Sequence, residues 1–101
     1  MRVVLFYCYS ELKSPEAERD RQFEFCEARG LYGRVLISVE GINGTLAGSE
    51  EDVGAYIEML CSHPDFFMTP ADFKNSSYEE ETGPPFPDLQ VRANRNYFPA
   101  I

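Results

Sequence analysis

The sequence predicts an α+β domain, a ferredoxin-like split β-α-β sandwich with two helices on one face of an antiparallel sheet. Three observations carry this expectation. Strand-like and helix-like segments follow one another in the order β-α-β-β-α-β-β. The second helical segment has a clean apolar stripe that needs a sheet to lie on. The 101 residues contain no internal repeat and no internal linker, so a single domain, 1–101, accounts for the chain.

The first strand is Val3-Val4-Leu5-Phe6-Tyr7-Cys8-Tyr9, apolar at both alternating sets of positions, which reads as a central strand covered on both faces. Ser14-Pro15 supplies an N-cap and a first-turn proline, with Glu16 and Glu18 at the positive end of the dipole. A helix from about Pro15 to Arg29 follows, closed by Gly30. Its apolar stripe is thin: Ala17, Phe23 and Cys26. Gly33 to Val39 is the second strand, with Val35, Ile37 and Val39 on one face. Gly41-Ile42-Asn43-Gly44 reads as a tight connection, because Asn-Gly is a strong turn dipeptide. Thr45-Leu46-Ala47 then makes a short third strand. Ser49 with Asp52 caps the second helix, whose stripe is Val53, Tyr56, Ile57, Leu60 and Cys61, and His63-Pro64 ends it. Asp72-Phe73-Lys74 begins an edge strand, and the run 79–81 with Gly83-Pro84-Pro85 reads as a loop. Leu89, Val91 and Ala93 alternate with Gln90, Arg92 and Asn94 in a last, half-buried strand.

Nine basic residues against seventeen acidic ones give a formal charge of −8, which repels phosphate backbones and argues against a generic nucleic-acid coat. The charge is uneven. Nine acids lie in 49–81, whereas 89–98 holds Arg92 and Arg95 and no acid, so any polyanion contact must use that minority face. Cys8, Cys26 and Cys61 are odd in number and form no C-x-x-C pair, and the lone His63 has no neighbouring ligand. A zinc site or disulfide framework is not expected, no cofactor is implied, and reduced cysteines suggest the cytoplasm. No signal peptide opens the chain, and the longest apolar run is far too short to span a membrane.

Catalytic patterns are missing. There is no G-x-S-x-G, and Gly41-x-x-Gly44 lacks the Lys-Ser or Lys-Thr of a phosphate loop. The concentrated signal is Glu40-Gly41-Ile42-Asn43-Gly44-Thr45. Two glycines around an amide permit positive φ and could form an anion nest, with Asn43 and Thr45 adding side-chain bonds; the plainer reading is a hairpin turn.

On Gly33-Arg34-Val35-Leu36-Ile37-Ser38-Val39-Glu40-Gly41-Ile42-Asn43-Gly44-Thr45-Leu46-Ala47-Gly48-Ser49, supported by Phe6-Tyr7-Cys8-Tyr9, Asp72-Phe73-Lys74 and Phe86-Pro87, the chain resembles a known family. This is the N-terminal acylphosphatase-like domain of rhodanese-containing tRNA uridine hydroxylases and their eukaryotic rhodanese-like relatives. The resemblance implies that a rhodanese domain follows and supplies a reactive cysteine. Bacterial members hydroxylate a wobble uridine of tRNA using oxygen. No rhodanese loop occurs before Ile101, so the expected role here is accessory and non-catalytic. Acylphosphatase activity is not expected either: that enzyme needs a glycine-rich loop with an arginine after the first strand, and this chain has Ser10-Glu11-Leu12-Lys13-Ser14. Two readings stand. The domain positions tRNA through Arg34, Asn43, Lys74, Arg92 and Arg95, with Tyr97 and Phe98 nearby for stacking, or it docks on its own rhodanese domain around Phe86-Pro87 without touching RNA. Glu40, Gly41, Gly44 and Thr45 complete the candidate binding residues.

Overall fold

Eight residues from Arg2 to Tyr9 form the first strand, β1: Val4 and Phe6 point into the core, Leu5, Tyr7 and Tyr9 are exposed on the other face, and Val3 on that same face is buried. The structure, a computed structural model, describes residues 1–76 and 88–94. Helix α1 spans Pro15–Ala28, with Pro15 in its first turn, and Gly30 after it takes φ 68°. Strands β2, Tyr32–Ser38, and β3, Gly41–Gly48, make a hairpin joined only by Val39 and Glu40. Helix α2 is Glu50–Cys61, and Ser49 caps it by accepting the Asp52 N–H at 3.1 Å. A 3-10 turn at Pro70–Asp72 leads into the edge strand β4, Phe73–Ser76. Strand β5, Leu89–Asn94, lies at the opposite edge.

The sheet order is β4-β1-β3-β2-β5. The first four strands are antiparallel, as the split β-α-β arrangement requires, while β5 runs parallel to β2 and makes the sheet mixed. This is an acylphosphatase-like, ferredoxin-like fold. Between the helices and one sheet face, Val4, Phe6, Val35, Ile37, Ile42 and Leu46 pack with Val53, Tyr56 and Leu60. The Phe6 ring meets Tyr56 at 5.5 Å and Phe73 at 5.3 Å between centroids.

Three expectations need correction. Strand β1 is central but not covered on both faces: Leu5 is 43%, Tyr7 64% and Tyr9 70% exposed. The residues Gly41 to Gly44 are not a turn. They lie inside β3, paired on both sides by β1 and β2, and the turn falls two residues earlier, where the buried Ser38 hydroxyl accepts the Glu40 N–H at 3.1 Å. The stripe of α1 is Pro15, Glu18, Gln22 and Cys26 rather than one containing Ala17, which is exposed. Its two polar members are buried because partners on the same helix and on or after α2 satisfy them. Glu18 accepts two bonds from Arg21, at 3.0 and 2.7 Å, and one from Gln22 at 2.8 Å. Gln22 Oε1 accepts the Tyr56 hydroxyl at 2.6 Å, tying α1 to α2. His63 Nδ1 accepts the Asp65 amide, so Nε2 carries the ring proton and donates to Glu18 at 2.9 Å.

Candidate binding site on the open sheet face

The register of the ladders decides which side chains share the uncovered face. Residues paired directly across strands point the same way. One row therefore reads Lys74, Leu5, Thr45, Arg34, Gln90 from β4 to β5. The next reads Tyr7, Asn43, Leu36, Arg92. Five of the residues singled out from sequence, Arg34, Asn43, Thr45, Lys74 and Arg92, are thus brought onto one face although they come from four strands.

That face has two chemically different ends. On β2 and β5, Gln90 Oε1 accepts from Arg34 Nη1 at 2.6 Å and from Arg92 Nη2 at 2.9 Å, which holds two exposed guanidinium groups side by side. Fixed, adjacent guanidiniums suit phosphate oxygens, which they contact in a planar fork. On β1, the Tyr7 and Tyr9 rings lie 5.9 Å apart with their planes at 78°. Phe67, 88% exposed, stands beside them across an open cleft of about 320 Å³ that Asp72 and Lys74 also line. Asn43 and Leu36, both half-buried, bridge the ends.

The remaining candidates fall elsewhere. The anion nest is not formed: Gly41 to Gly44 are in extended ladder pairing, and Gly44 does not have positive φ. Gly41 does, at 142°, and is required for close approach, since a Cβ there would run into the Cys8 carbonyl oxygen. Gly44 faces the core, under the Phe6 ring. Glu40 sits at the hairpin tip, its carbonyl accepting the Ser10 N–H at 2.9 Å. Arg95, Tyr97, Phe98, Phe86, Pro87 and the expected loop at 79–85 lie outside the described residues.

The loop where an acylphosphatase holds its phosphate is occupied differently. The amides of Ser10 and Leu12 donate to the carbonyls of Glu40 and Val39 at 2.9 and 3.1 Å, and Leu12 is buried. The thiols are poor nucleophiles: burial pushes Cys26 up to about 12 and raises Cys8 and Cys61 as well. Among the described residues no group of three or more His, Cys, Asp or Glu could hold a metal ion, and no helix is long and apolar enough to cross a membrane.

Residues 1–96 match the family model described as the UPF0176 acylphosphatase-like domain. The chain belongs to that family. Among curated relatives of this UPF0176 domain, the tRNA uridine(34) hydroxylase of Staphylococcus haemolyticus is 41% identical over 91 residues, covering 90% of this chain and 27% of the relative. That of the Onion yellows phytoplasma is 40% identical over 90 residues, 89% of this chain and 28% of the relative. The protein of the same name from Cytophaga hutchinsonii is 36% identical over 91 residues, 90% and 28% respectively. The UPF0176 domain thus spans little more than a quarter of the relatives it matches.

Sequence reasoning missed Tyr7, Tyr9, Phe67 and Gln90. The register, which puts the tyrosines in line with Asn43 and Gly41 and Gln90 beside Arg34, shows three of them; Phe67 lies outside the strands and joins them only in the folded chain.

Proposed function

We propose that this domain holds tRNA on its open sheet face and presents it to a catalytic domain elsewhere in the same, cytoplasmic polypeptide, a rhodanese domain by resemblance. The observation that carries the reading is the Arg34–Gln90–Arg92 cluster, two guanidiniums fixed on the same uncovered face as Lys74, Asn43 and Tyr7. A domain of net charge −8 does not attract RNA over its whole surface, so contact is confined to the face where cations converge. The relatives named tRNA uridine(34) hydroxylase point to tRNA as the polyanion. The domain's role is positioning: the thiols, one buried and two half-buried with raised pKa, and the bonded loop after β1 supply neither an activated nucleophile nor a phosphate loop.

The test is tRNA affinity measured over a salt series for the wild type and for an Arg34→Glu/Arg92→Glu double variant, with thermal melts as control. Both side chains are exposed, so the fold should hold. Loss of two phosphate contacts should weaken binding and flatten the log–log salt slope by roughly two units. Unchanged affinity and slope in a folded variant would remove this face from RNA binding. The exposed Leu5, Tyr7, Tyr9 and Phe67 would then fit docking on the rhodanese domain better.

A further inference from the structure

The proposed function leaves open which form of RNA the face accepts, and the aromatic end answers that. Tyr7 and Tyr9 leave β1 on the same face, yet their ring planes are 78° apart. Two bases stacked on one another, as in a duplex, present parallel planes and cannot each lie flat on such a pair. Bases that are splayed apart can. Phe67 faces the tyrosines across a cleft of about 320 Å³, near the lower bound, about 300 Å³, of small-molecule pockets, and therefore scaled to a planar group rather than to a helix. Lys74 stands at the rim, on the same row as Leu5 and Arg34. From β1 to β5 the sheet offers three strand spacings, about 14 Å, across Asn43 and Leu36 to the arginine pair. That is a path for a flexible strand, with a base at one end and phosphate at the other.

Resting on the tRNA reading above, we infer that the face selects single-stranded RNA with splayed bases, seating one unstacked base among Tyr7, Tyr9 and Phe67 while the strand runs across β3 and β2 to Arg34 and Arg92. Recognition of loops by aromatic stacking, rather than of helices by backbone shape, is the physical class this places it in. The cations gather at the far end, where two guanidiniums stand together; the base cleft carries Lys74 and Asp72, whose charges cancel, so stacking contributes there.

The experiment uses a single-stranded oligouridylate carrying one 2-aminopurine, and a blunt RNA duplex of the same length, titrated with the protein. The single strand should bind at least about tenfold tighter than the duplex at equal salt, with a change in 2-aminopurine emission on binding. Tyr7→Ala should weaken single-strand binding by roughly 5- to 100-fold, leaving the salt slope unchanged because stacking releases no counterions. Tyr7→Phe should retain affinity because the ring remains; Tyr9→Ala and Phe67→Ala should behave like Tyr7→Ala. Equal affinity for duplex and single strand, or alanine variants that melt normally and bind as well as wild type, overturns the inference. If the arginine double variant loses tRNA binding while the tyrosine variants do not, the tRNA reading stands and only the splayed-base inference falls. If no RNA binds, both fall.

Discussion

Gly44 shows how a single residue ties the open face to the core. It pairs with Phe6 on one side and Val35 on the other, and its missing Cβ lets the Phe6 ring close over β3. A Cβ there would sit 2.9 Å from Phe6 Cζ and 2.8 Å from the Arg34 carbonyl oxygen. The second of these is backbone and cannot swing away. Gly44→Val should therefore cost about 1–3 kcal/mol through overpacking. Ile42→Val, a methylene removed from a fully buried side chain, should cost about 0.5–1.5 kcal/mol. Denaturant midpoints compare them directly, and a neutral Gly44→Val would mean that Phe6 has room the structure does not show. Sequence marked Gly44 as special for the wrong reason. Asn43-Gly44 is a strong local turn former, but Ser38 and Gly41 close the hairpin earlier, and pairing on both flanks keeps 43 and 44 extended. Local propensity lost to the ladder.

Among the elements, α2 and β2 were legible because each carries its period in its own residues. The bounds of α1 were legible too, from Ser14-Pro15 and Gly30, but its buried face was not. That face includes Glu18 and Gln22 beside Pro15 and Cys26, and part of what makes it tolerable, Tyr56 and His63, lies on or just after α2, over thirty residues away. Strand β1 misled in the opposite sense: a run apolar on both faces reads as doubly buried, whereas Tyr7 and Tyr9 are exposed. The Glu18 network makes a pH-dependent prediction. Burial works against the Glu18 charge, but the donors Arg21, Gln22 and His63 more than offset it and hold the carboxyl below the usual range. The unfolded chain, with an ordinary Glu value of about 4.3, takes up the proton first as pH falls. The stability this group contributes is thus complete above that value and is lost as pH drops through the lower, folded one. Glu18→Gln should be less stable at pH 7 by about 1–3 kcal/mol, because the charge is lost and the donors on one of its two oxygens then face an NH2 group instead of an acceptor. It should also show a shallower stability loss than wild type between about pH 5 and 3. Urea melts across that range decide it; parallel acid losses in both proteins would show that Glu18 does not carry the dependence.

Over the whole molecule, the helices cover one sheet face and leave Leu5, Tyr7 and Tyr9 exposed on the other. The order of elements was enough to foresee the sandwich, but not that β5 returns parallel to β2, since that depends on a connection whose path no local pattern dictates. The parallel return matters for function: it sets Arg92 across from Leu36 and brings Gln90 beside Arg34, completing the cationic end. Which basic residues to suspect was readable from sequence; that they converge, and that tyrosines join them, required the register. On the proposed reading, RNA meets this molecule on the open sheet face and not on the helices. Amide chemical-shift mapping of the 101-residue chain during titration with an unmodified tRNA anticodon stem-loop tests it most directly. Perturbed resonances should cluster at Leu5, Tyr7, Asn43, Thr45, Leu36 and Arg92, with α1 and α2 unmoved. Shifts confined to the exposed sides of α1 and α2, or no shifts up to a large excess of the stem-loop, would contradict it.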